Sequence, residues 1–109
     1  MDELVKRLSQ GDHPVIASRA ASAEELKKSI DRGYVLIKFT GTRGGTELGV
    51  RLDMTLTDLT KADFDDGTGT VHLAGGQTLN YVKVHCVADI DAAPRHGTGH
   101  LEIIEEVSP

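Results

Sequence analysis

Hydrophobic and polar residues alternate most cleanly in two neighbouring stretches. Tyr34 to Thr40 puts Val35, Ile37 and Phe39 on one face, and Glu47 to Asp53 puts Leu48, Val50 and Leu52 on one face. A period of two is that of a β-strand with one buried side. Gly41, Gly44 and Gly45 lie between the two stretches and supply the positive φ angles that a tight connection needs. A hairpin follows, with Thr40 opposite Glu47, so that Phe39 meets Leu48, Ile37 meets Val50 and Val35 meets Leu52. The opposite face pairs Tyr34 with Asp53, Leu36 with Arg51 and Lys38 with Gly49, a mixed set expected to be partly exposed.

The same reading extends along the chain. Asp2 to Ser9 carries Leu4, Val5 and Leu8 on one helical stripe, and Gly11 stops it. Val15 to Ala17 is a short extended piece, preceded by His13-Pro14. Ser22 opens the clearest helix: Ser22 and Glu25 form a capping box, Leu26 and Ile30 share a face, and Gly33 sits just past the end. Thr57 or Asp58 is expected to cap a single turn ending at Asp63, with Phe64 as an anchor and Asp65-Asp66-Gly67 as a turn. Thr70 to Leu73 reads as a strand, Ala74 to Gln77 as a second hairpin turn, and Thr78 to Ile90 as a long strand. Its phase changes between Leu79/Tyr81 and the series Val82, Val84, Cys86, Ala88, Ile90, which suggests a β-bulge near Tyr81. Asp91 to Gly97 is a loop. In Gly99 to Glu106, the last strand, Leu101 and Ile103 point in; an acidic tail ends at Pro109. These elements predict one α+β domain over residues 1–109, an antiparallel sheet of four to five strands with one or two N-terminal helices packed on one face. Two short helices leave Tyr34, Leu36, Val87 and Ile104 on the second face for a partner.

Composition narrows the classes. Aromatic residues make up 4% of the chain and Trp is absent, so the core is expected to be aliphatic. Net charge is −5 with no cluster of Lys and Arg, which argues against nucleic acid. Cys86 is the single cysteine, so no internal disulfide can form, as suits a reducing compartment. No apolar run approaches the roughly 20 residues of a membrane span, and the charged start does not read as a signal peptide. A cytoplasmic protein without membrane contact is the expectation.

Candidate chemistry is sparse. The loop Gly41 to Thr46 could cradle an anion with Arg43 as counter-charge. A strand rather than a helix follows it, so a plain hairpin loop fits better than an anion or partner contact through Arg43. Five histidines stand at 13, 72, 85, 96 and 100. His85 is expected beside Glu102 or Ile104 if their strands pair, a conceivable acid–base pair. No zinc-ligand spacing is present, and Asp58, Asp63, Asp65 and Asp66 lack the order of an EF-hand. Cys86 belongs to the apolar series and reads as core. No metal or cofactor is expected. The leading expectation is an accessory or binding protein that engages a protein partner, or itself, through its sheet face, an edge strand or the Gly41–Thr46 loop. The alternative is a small-molecule site or acid–base enzyme between helix and sheet, with Arg51, Tyr81, His85 and Glu102 as its polar groups.

Overall fold

The alternation described above becomes real strands in the computed structural model, which describes residues 3–106. Strand β2 (Tyr34–Phe39) and strand β3 (Thr46–Leu52) pair antiparallel, with Val35 opposite Val50, Ile37 opposite Leu48 and Phe39 opposite Thr46. The register is two residues from the expected one. A two-residue slip keeps every side chain on its face, so alternation alone cannot tell the two apart. The connecting loop keeps its expected length but is displaced by one residue, and Gly44 and Gly45 in it adopt positive φ while Gly41 does not.

Helix α1 (Glu3–Leu8) precedes strand β1 (His13–Ala17), and helix α2 (Ala23–Asp31) leads into β2. The start of the first helix at Asp2 and the tail beyond Glu106 lie outside the described residues. Ser22 caps α2 as its sequence requires: its Oγ accepts from the Glu25 N–H at 3.1 Å. The Glu25 carboxylate reaches back to the Ala21 N–H at 2.7 Å, one residue beyond the expected target. Gly33 follows the C-cap at φ 75°.

The α+β expectation is wrong. About half the chain is strand (52%) and only 14% is helical, and six antiparallel strands close into a barrel. After β3 come the two-residue strand β4 (Ala62–Asp63), then β5 (Thr68–Leu79), β6 (Val82–Asp91) and β7 (His96–Glu106). Neighbours run β3-β2-β1-β7-β6-β5, and β5 pairs back onto β3 to complete the circle; β4 flanks β5. Closure explains the misreading. A one-sided alternation is what both a helix-covered sheet and a barrel wall require. In the barrel, inward side chains of all six strands meet one another, so no helix layer is needed. Phe39, Ile37, Leu48, Val50, Leu73, Val84, Ile90 and Leu101 are all at most 1% exposed within one core.

The helices serve the ends of that core. Leu26 and Ile30 of α2 and Val5 and Leu8 of α1 belong to the same buried cluster. At one end, Arg95 Nε in the β6–β7 turn donates to the Ala20 carbonyl ahead of α2 at 2.9 Å. At the other, Arg7 of α1 donates to the Gly41 carbonyl in the β2–β3 loop at 3.3 Å. His13 Nε2 lies 3.0 Å from the Arg7 carbonyl and 2.9 Å from the Gln10 carbonyl, so this nitrogen carries the proton and ties α1 to the barrel mouth.

Further expectations fail in the second half of the chain. Ala74 to Gln77 is no turn; β5 runs through it to Leu79, and the reversal falls at Asn80 and Tyr81, with φ of 48° and 64°. That reversal, not a bulge, changes the phase at Tyr81. The register irregularity lies between Lys83 and Val84, where β7 carries Ile104 as the extra residue. Asp58 to Asp63 forms a bridge to His72 and strand β4 instead of a helical turn. The last strand begins at His96, so the β6–β7 connection is shorter than expected.

The two glycines mistaken for a turn differ in kind. A Cβ on Gly75 would strike the Arg51 carbonyl and crowd Leu52 Cα, because β3 crosses β5 there. A Cβ on Gly76 would meet nothing within 4 Å. Gly75→Ala is therefore expected to cost about 1–3 kcal/mol through overpacking, while Gly76→Ala should be neutral or gain up to about 1 kcal/mol by reduced chain entropy. Urea denaturation of both variants measures the difference, and equal effects would contradict this account of closure. Ser22→Ala should cost about 1 kcal/mol in the same assay.

Candidate functional site

Barrel closure aligns three of the five candidate residues. Arg51 pairs with Gly76 across β3 and β5, Gly76 with His85 across β5 and β6, and His85 with Glu102 across β6 and β7. Tyr34 extends the row from β2, opposite Arg51. All five positions face outward, because their neighbours Val50, Gly75, Cys86 and Leu101 are buried inside. The remaining two candidates are elsewhere. Tyr81 is at the β5–β6 reversal, 63% exposed. Arg43 is in the loop directly before β3, beside a cleft shared with Arg7 and Leu4 of α1. Arg51, His85 and Glu102 lie on the outer wall and Tyr81 at a reversal, so these four groups do not gather between a helix and the sheet.

Within the row, charge is unevenly spent. The His85 Nδ1 lies 3.7 Å from Glu102 Oε1, and His100 Nε2 lies 3.4 Å from Glu102 Oε2; His100 Nδ1 is also 3.4 Å from Asp12. These are solvated pairs, worth at most about 1 kcal/mol each. The Asp53 carboxyl is held below its ordinary value by the Thr55 hydroxyl and the Thr55 N–H, and further by the charge of nearby His85. Glu47 is likewise held low, first by the Ser18 hydroxyl at 3.0 Å and then by Arg19 at 3.4 Å. The Arg51 side chain makes no hydrogen bond or ion pair among the described residues.

The seam where the barrel closes is short. β3 and β5 share only the pairs Arg51–Gly76 and Leu52–Gly75, and the Asp53 N–H donates to the Ala74 carbonyl just beyond. Toward the other end the strands separate, leaving Thr46–Val50 and Gln77–Leu79 without a common ladder. Backbone groups alternate between a strand's two edges. Those of Gly49 and Glu47 on β3, and of Thr78 on β5, therefore face the gap. A cleft of about 450 Å³ opens there, lined by Tyr34, Gly49, Arg51, Gly76, Gln77 and Thr78. The Tyr34 hydroxyl lies against Gly49, where a Cβ would collide with it.

A second cleft, of about 330 Å³, is lined by Asp58, Lys61, Thr70, His72 and Asp89. Its His72 Nδ1 and Asp89 Oδ1 are 2.8 Å apart, the shortest histidine–carboxylate contact among the described residues. The sequence hid it, because Asp89 meets His72 only through the β5–β6 register. Asp58 beside it is held below its ordinary value by the Thr60 hydroxyl and N–H at 2.6 and 2.8 Å. Among the described residues no group of three or more His, Cys, Asp or Glu is arranged to hold a metal ion. Cys86 is buried in the core, and burial pushes its thiol up to about 12. The chain matches no protein-family model and is significantly similar to no curated protein. No helix of the described residues is long and apolar enough to cross a membrane.

Two expectations follow. Cys86 should react with a thiol reagent such as dithionitrobenzoate only as fast as the protein unfolds; rapid labelling of the folded chain would contradict its placement. Asp58 and Asp53 have lowered folded values, so their contribution is present above the ordinary carboxylate range and lost as pH falls through the folded values. Thr60→Val should therefore lower the melting temperature most near pH 7, with the gap from wild type shrinking toward about pH 3. A gap independent of pH would refute the role given to the Asp58–Thr60 bonds.

Proposed function

We propose that this protein is a small accessory binding protein of the cytoplasm, without chemistry of its own, that receives an extended segment of a protein partner along an open strand edge of its barrel. One observation carries the reading: the β3–β5 ladder ends at Arg51–Gly76 although both strands continue. An extended chain entering the gap would find unspent backbone donors and acceptors at Glu47, Gly49 and Thr78. Strand addition uses main-chain hydrogen bonds for affinity and alternate side chains for selectivity. The Gly41–Thr46 loop stands directly before the open part of β3, with Arg43 free of hydrogen bonds and ion pairs among the described residues, and so adds a cation at the entrance.

A second reading takes its support from the His72–Asp89 contact. A histidine oriented by a carboxylate can act as a general base. Both side chains are well solvated, 39% and 57% exposed, and the one hydroxyl lining the cleft, that of Thr70, is committed to Asp91 at 3.0 Å. Binding is therefore preferred to catalysis.

The test is photo-crosslinking in the native host from p-benzoylphenylalanine at Gln77, with Asp31 on α2 as the control position. Discrete adducts with another protein from position 77 alone are expected. Thr78→Pro, which removes a gap-facing N–H and no barrel bond, should abolish them while leaving the melting temperature nearly unchanged. Adducts only between copies of the chain would redirect the proposal to self-association, and adducts equal to those from position 31 would overturn it.

A further inference from the structure

The backbone of Gly76 pairs on both sides, but nothing in the fold requires that it lack a side chain. It sits in the interior of β5 without a positive φ, and its outward side is empty. A strand-interior glycine is unfavourable and commonly marks a place where a ligand or another backbone approaches closely. Gly75 next to it is required by the crossing of β3, and the space outside Gly49 is taken by the Tyr34 ring; of these three seam glycines, Gly76 alone has open space outside it. Its cross-strand neighbours are Arg51 on one side and His85 on the other. His85 does not lean over the notch, since nothing lies within 4 Å of a Cβ there. It lies instead toward Glu102, at 3.7 Å.

We infer that this notch, at the closed end of the β3–β5 gap, is a binding site for the free C-terminal carboxylate of an extended partner segment, held by Arg51. The inference rests on the strand-addition reading and adds to it the chain end that is recognised. A segment lying in the gap must stop where β3 and β5 begin to pair, so one of its termini ends beside Arg51–Gly76. Running parallel to β3 it presents its C-terminus there; running antiparallel, its N-terminus. The Arg51 guanidinium repels an ammonium and matches a carboxylate with two parallel hydrogen bonds. The carboxylates able to compete for Arg51 are otherwise engaged: Glu102 by His85 and His100, Asp53 by Thr55, Glu47 by Ser18 and Arg19. The Tyr34, Gln77 and Thr78 side chains line the same cleft, and its volume of about 450 Å³ suits a few residues of peptide.

The test uses the full chain and two libraries of N-acetylated random pentapeptides, one with free C-termini and one amidated. Binding is read by affinity selection and then by amide chemical shifts of Gly49, Gly76 and Thr78. Selected acids should shift those three amides, and amidation of the same sequences should weaken binding by at least about tenfold, the loss of one charge-assisted contact. Arg51→Gln should cost a similar factor and Arg51→Lys less. Gly76→Val should fill the notch, abolish binding and leave the melting temperature unchanged or higher. Acids and amides binding alike, or Arg51→Gln binding as wild type, would overturn the carboxylate site while leaving strand addition standing. Failure of both libraries to move the three amides would overturn both.

Discussion

Everything in this molecule depends on one close approach, the backbone of β3 passing over Gly75 of β5. Two ladder pairs hold that crossing. Without it, β2, β3 and β5 would be parts of an open curved sheet with two free edges, and Leu48, Val50 and Leu73 would lose their shared interior. With it, the inward faces of six strands enclose a core built almost wholly of aliphatic side chains and Phe39. Gly97 and Gly99 make comparable concessions on β7, where a Cβ would press on the Asp89 and Val87 carbonyls respectively. The barrel is narrow, and glycine is placed where its wall must turn.

The short closure also creates the candidate site. Strands that pair over their whole length leave no room between them, whereas β3 and β5 are zipped at one end and spread at the other. The same geometry that completes the core exposes ladder groups and leaves at the apex a guanidinium, that of Arg51, without a partner among the described residues. Closure and the proposed binding site thus share one seam, which offers backbone donors and acceptors and the Arg51 cation.

Much of the local structure was legible. The Ser22 cap, Gly33 after the helix and the alternation of β2 and β3 each express a rule with a range of a few residues. Arg51, His85 and Glu102 were legible as outward polar positions, but their common row follows from three pairings across four strands of the barrel. Closure was not legible, because a strand with one buried face looks the same in a sheet and in a barrel. Gly75-Gly76 misled for a physical reason: glycine serves tight turns and close backbone crossings equally well. The true reversal at Asn80-Tyr81 was obscure, since tyrosine rarely adopts positive φ. The His72–Asp89 contact joins residues 17 apart and depends on a register that no local pattern specifies.

The last strand carries a further consequence. β1 accompanies β7 only as far as Gly99, so the outer edge of β7 runs on toward Glu106 with no strand beside it among the described residues. Naked edges invite stacking of one molecule on the next into fibres. Here the overhang ends in Glu105 and Glu106, follows the irregularity at Ile104, and would set like charges against like in any two-fold docking of identical edges. Acidic side chains at this rim therefore oppose the edge-to-edge stacking of identical copies that a bare strand would otherwise allow.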